Sequence, residues 1–171
     1  MATMRWVAGL FGLVLLSGCG HGTGATASST ASPAEPAVLV PPTNADDVTA
    51  WREFMVKSIL SVTHDPKLHP YSFVVPAGDS ADVTDRRKSE AMAIRMMLGN
   101  TAVPGNMIAL TGPDSTKVAD VIIEAFKGLP PHAAQGLAVL YVGVPDAADA
   151  AKKIVSAAGA ELRVRQMRAP N

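Results

Sequence analysis

Cysteine is almost missing from this chain of 171 residues: Cys19 is the only one. That excludes a disulfide framework and any cysteine-based metal site, so a domain built from this sequence must hold together by packing. Net charge is missing too, with 15 basic against 15 acidic side chains. Such a balance argues against nucleic acid or an anionic lipid surface as a broad electrostatic partner. The apolar run nearest the start, Trp6–Leu16, is 11 residues long, whereas a membrane-crossing helix needs about 20. There is no internal repeat, no Gly-Lys-Thr phosphate loop and no Asp-x-x-His.

What is present begins with an address. Met1–Arg5 carries one positive charge, and Trp6–Leu16 suits the apolar region of a secretory signal peptide. Leu16-Ser17-Gly18-Cys19 follows, and this stretch resembles the lipobox of bacterial lipoproteins. The resemblance implies that the Cys19 thiol is alkylated with diacylglycerol, the chain is cut before Cys19, and the new amine is acylated. Each buried CH₂ contributes roughly 0.8 kcal/mol, so one acyl chain holds marginally and two hold stably. Gly20, not Asp, follows the cysteine; by the lipoprotein sorting rule this implies the outer membrane, with the domain in the periplasm. Residues 20–45 are mostly Gly, Ala, Ser, Thr and Pro with one acidic residue, Glu35. Such a segment buries too little apolar surface to offset its ordering entropy, and it reads as a tether reaching about 25–30 Å. The expected organisation is a signal peptide over 1–18, a lipidated tether over 19–45 and one domain over 46–171. Losing Arg5 with the leader leaves 14 basic against 15 acidic side chains.

Periodicity sets the domain's class. Val48, Trp51, Met55, Ile59 and Val62 recur at helical spacing behind Asp46 or Asp47 as a cap. Tyr71–Val75 is a short strand pattern closed by Pro76-Ala77-Gly78. A helix is expected from Thr84 or Asp85 to Leu98, with Ala91, Ile94 and Leu98 inward and Gly99-Asn100 as its stop. Met107–Thr111 reads as a strand. Asp114 or Ser115 then caps a helix carrying Val118, Ile122, Ala125 and Phe126, which Gly128 stops. Leu137–Val144 is apolar throughout, as a strand covered on both faces would be. Asp146 caps an alanine-rich helix ended by Gly159, and Leu162–Met167 alternates like a half-exposed strand. The sum is β-α-β-α-β-α-β behind an N-terminal helix: an α/β fold, a single layered sandwich, with α+β as the alternative. The pattern does not specify the strand order.

Within this pattern, Ala91, Ile94, Leu98, Ala102-Val103-Pro104, Ile108 and Gly112 fall at the spacing of a helix–turn–strand unit. The stretch resembles OmpA-like, peptidoglycan-associating domains, which implies a wall-binding role. In that family an arginine helps to hold the diaminopimelate of the peptide stem. The matching position here is Glu90, of opposite sign, and the region of the family's Thr-Asp pair is Tyr71–Pro76. In architecture, a lipobox, a small-residue tether and a small α/β domain also resemble lipoproteins of pilus-assembly, secretion and conjugation systems.

Candidate chemistry is sparse. His64, Asp65 and His69 could offer three metal ligands, but Pro66 and Pro70 mark a connector and no fourth ligand accompanies them. His21 lies in the tether and His132 follows a Pro-Pro turn. Gly78-Asp79-Ser80 is similar to the Gly-Asp-Ser opening of some lipases and esterases, though no partner histidine motif follows. Gly112-Pro113-Asp114-Ser115-Thr116 passes from strand to helix, a place that can bind anions, but Pro113 removes an amide donor. Arg86-Arg87-Lys88 is a basic run near a helix start, balanced by Asp82, Asp85 and Glu90; its functional reading is contact with a protein or glycan. Met92 and Met96, beside Met97 and Met107, make a methionine-rich patch suited to core filling or to an adaptable interface.

The expectation is therefore a non-enzymatic, lipid-anchored envelope protein, a structural or assembly component of a pilus, secretion or conjugation machine. It is held in the membrane through Cys19 and meets other envelope proteins through Arg86, Arg87, Met92 and Met96. No metal, cofactor or nucleic acid is expected. An OmpA-like peptidoglycan-binding lipoprotein is the alternative, and a small esterase-like hydrolase the second.

Overall fold

In the computed structural model the described residues are 38–63, 68–101 and 104–168. The leader, Cys19, His21, His64-Asp65 and Ala102-Val103 lie outside them. Four strands, β1 (His69–Val74), β2 (Asn106–Thr111), β3 (Ala138–Gly143) and β4 (Glu161–Gln166), form one sheet in the order β1-β2-β3-β4. Every neighbouring pair is parallel. Helices α1 (Val48–Val62), α2 (Ala81–Thr101), α3 (Ser115–Phe126) and α4 (Ala148–Ala157) alternate with the strands. The fold is α/β.

The strand order decides where the helices go. A sheet whose order never reverses, crossed each time with the same hand, receives all its crossover helices on one face. Accordingly Ala91, Ile94 and Leu98 of α2, Val118 and Ile122 of α3, and Ala151 and Val155 of α4 share a core with Ile108, Leu110, Val139 and Tyr141. The helix that precedes β1 takes the other face. There Trp51, Phe54, Met55 and Ile59 of α1 pack on Met107, Ala109, Leu140, Val142 and Met167. Alternate residues of β2 and β3 thus feed opposite cores, and both strands are buried almost throughout.

Local chemistry sets most of the boundaries. Asp47 caps α1 by accepting the Ala50 N–H at 2.9 Å, and Trp51 Nε1 donates to Asn44 O at 3.1 Å. Asp114 caps α3, taking the Thr116 and Lys117 amides. Three expectations are corrected. α2 begins at Ala81 rather than at Thr84 or Asp85, because the Ser80 oxygen accepts the Val83 N–H, and it continues through Gly99-Asn100 to Thr101. Asp146 does not cap α4: it sits inside a short 3₁₀ turn, Pro145–Ala147, that leads into the helix. Residues 38–45, read as the end of the tether, join the fold. Leu39 bridges to Met167 and packs against the α1-side core, and Pro41 is buried.

Candidate functional site

β1 is an edge strand. Its His69 N–H donates to Gly105 O at 3.1 Å and its Val75 N–H to Thr111 O at 2.8 Å, both towards β2. Parallel pairing alternates, so residues 69, 71, 73 and 75 turn their backbone groups to β2 while 70, 72 and 74 turn theirs outward. Pro70 occupies one outward position and lacks an N–H, as suits an edge. Ser72 and Val74 are left with outward donors and acceptors, and among the described residues no strand pairs with them.

Two helices stand over this edge and make it a groove of about 660 Å³. One wall is α1, through Val48, Arg52 and Val56; the other is α2, through Val83, Arg86 and Glu90; the floor is Ser72–Pro76. Val48 and Val56 are 48% and 55% exposed, on the side of α1 that the sheet leaves uncovered. Glu90 is half-buried, and its Oε2 is buried without a hydrogen-bond partner among the described residues. Burial raises its pKa above the ordinary value of 4.5, with Arg86 and Arg87 opposing the shift.

The four residues expected to share one partner surface do not. Arg87 is only 8% exposed. Its Nη1 donates to Pro76 O at 3.1 Å and Gly78 O at 2.6 Å, and its Nη2 to Thr84 Oγ1 at 3.3 Å. It is a clasp on the β1–α2 turn, not a contact residue. Asp79 completes the clasp, 2.8 Å from Lys117 Nζ and 3.7 Å from Arg87. The Lys117 hydrogen bond and charge lower the Asp79 pKa, and Arg87 adds to this. The clasp fixes Pro76 and Ala77, and so shapes one end of the groove. Arg86 lines the groove, but Met92 lines a separate hollow with Lys88, Arg95 and Glu124. Helical geometry puts Met92 about 120° round α2 from Arg86. Met92 and Met96 are 64% and 66% exposed, so they do not fill the core.

The other candidates have structural places. Ser80 starts α2, and Asp79 beside it is engaged by Lys117. Ser115 Oγ accepts the Val144 N–H at 3.0 Å, and with the Asp114 cap this uses the strand-to-helix turn for packing. Tyr141 seals the same corner, its hydroxyl 3.1 Å from Ser115 O and 3.0 Å from Val144 O; burial pushes its pKa to about 12. Open α/β sheets bind ligands where the strand order reverses, and this order has no reversal. His69 is exposed at the start of β1, and His132 is exposed in a loop with φ 66°. Among the described residues no cluster of metal-ligating side chains forms, and no helix is long and apolar enough to cross a membrane. Sequence reasoning missed the open edge, Arg52 and Val56. The expected strand starts at Tyr71, whereas β1 starts at His69 and takes in Pro70, a residue suited to an edge. No protein-family model, curated protein or solved structure matches this chain.

Proposed function

We propose that this chain is a lipid-anchored cell-envelope protein, tethered through Cys19, that serves as a structural or assembly component of an envelope machine such as a pilus, secretion or conjugation system. The observation that carries the reading is the groove along β1, where an unpaired sheet edge lies between exposed Val48 and Val56 on one side and Arg86 and Glu90 on the other. An exposed edge is a liability unless it is blunted or used, and strand addition is a common mode of protein recognition. The lipobox resemblance at residues 16–19 supplies the anchor.

Mass spectrometry of the mature protein tests the anchor: the expected N-terminus is Cys19 carrying diacylglycerol and an amide-linked acyl chain. Cys19→Ser should move the protein from the membrane to the soluble fraction. A free thiol, or a different start, would overturn the anchored reading. The peptidoglycan alternative keeps one support, since Glu90 and Ser72–Pro76 line one groove at the two places to which the OmpA-like resemblance points. A glutamate there repels the stem carboxylate that an arginine would pair with. Sedimentation with purified sacculi checks it; retention weakened by Arg86→Ala would favour the alternative. The hydrolase alternative predicts an esterase activity lost in Ser80→Ala.

A further inference from the structure

We propose that the β1 groove receives an extended segment of a partner protein, added to the sheet as a fifth strand, and that Glu90 selects a basic side chain on that segment. The inference rests on the docking reading above and specifies its ligand. Only a strand satisfies an edge. The outward backbone groups of Ser72 and Val74 are spaced to bond alternate residues of an extended chain, and Pro70 lies outside the groove's lining.

Side chains of an added strand alternate between the two walls. Those turned towards α2 meet Arg86 and Glu90. Four helical residues rise about 6 Å, and two strand residues span about 6.6 Å. A basic residue opposite Glu90 and an acidic one two positions away, opposite Arg86, therefore fit one strand without distortion. The basic residue supplies the donor that Glu90 Oε2 lacks. Residues on either side of it turn towards α1 and rest on Val48 or Val56, which calls for apolar side chains. The ligand is an extended segment reading apolar–basic–apolar–acidic. The β1 strand of a second copy, His69–Val74, carries no lysine, arginine or acidic residue and does not match that pattern, so we assign the groove to a different protein.

The probe is a displayed library of twelve-residue peptides selected on the full-length chain in detergent. Selected peptides should carry Lys or Arg between apolar residues, and amide exchange at Ser72 and Val74 should slow at least about tenfold on binding. Glu90→Gln should weaken binding about tenfold, the scale of a hydrogen bond between charged groups. N-methylation of alternate peptide nitrogens should abolish binding without altering the protein. A selection that returns no binder, binders without a basic residue, or unchanged exchange at Ser72 and Val74 overturns the proposal. So does a dimer in sedimentation that already protects both amides, because the occupant is then a second copy. The Cys19 mass is measured independently, so failure here leaves the anchor standing, and failure of the anchor leaves the groove.

Discussion

The two edges of the sheet are treated differently. At β4 the chain covers the C-terminal end of its edge, where Leu39 N–H donates to Gln166 O at 3.2 Å and Leu39 O accepts the Arg168 N–H at 2.8 Å; Leu162 and Val164, further back, turn outward with no strand beside them among the described residues. Along the same strand Arg165 is tied by its Nε to Ser61 Oγ of α1 at 3.0 Å, and Arg163 pairs with Glu161 at 2.8 Å. These are the usual defences of an edge, a covering segment and charge. At β1 no segment covers the edge among the described residues; Pro70 and the flanking Arg52, Arg86 and Glu90 stand beside exposed Val48 and Val56. Among the described residues the fold covers one end of the β4 edge and none of the β1 edge. That contrast makes the β1 edge the better candidate for use.

Proline scanning breaks the comparison most severely. Tyr71 turns its N–H to β2, whereas Ser72 turns its N–H to the groove, so Tyr71→Pro should cost about 1–3 kcal/mol more than Ser72→Pro, the range for an orphaned buried acceptor. Chemical denaturation of both variants measures the difference. Equal costs would mean that β1 is paired on both sides. A smaller effect is expected at the partly covered β4 edge. Leu39→Ala trims a partly buried side chain from the α1-side core and should cost about 1–2 kcal/mol, below the usual range for a fully buried leucine. It should also loosen the cover on β4, giving faster exchange at the Leu39 and Arg168 amides, and leave peptide binding at the β1 groove unchanged.

Much of this was legible in the sequence where a residue's role is local. Asp47 and Asp114 cap helices through amides two or three residues away, and Ala138–Gly143 is apolar throughout because both faces are covered. Element type followed from such patterns, and with it the α/β class. The strand order did not follow, because nothing in a strand's own residues names its neighbour. The pairing of Arg165 with Ser61, 104 residues away, has no signal in the alternation of Leu162–Met167. Arg87 looked like part of a basic surface because its acceptors are carbonyls of a preceding turn, which no residue pattern advertises. The start of α2 precedes its expected place because Ser80, in a Gly-Asp-Ser stretch, accepts the Val83 N–H and opens the helix before the apolar stripe begins. The groove depends on the order, the turn and two distant helices at once, so it was the least legible feature of all.

The smallest effect sharpens the comparison at its most specific residue. At the β4 edge Arg165 has a partner, whereas at the β1 edge Glu90 Oε2 is buried without one among the described residues. Because burial raises the Glu90 pKa above 4.5, folding favours its protonated form. The stabilisation is complete below pH 4.5, where both states hold the proton, and is lost as pH rises through the raised value. Glu90→Gln keeps the shape and removes the titration, so its melting temperature should exceed the unmodified protein's at pH 8 and approach it at pH 4. A basic peptide in the groove should cancel that advantage, since a cation beside Glu90 favours the ionised carboxylate. If the peptide-bound protein still loses stability between pH 4 and pH 8 as steeply as the free protein, the carboxylate is not in contact with the ligand, and the selectivity of the groove lies elsewhere along β1.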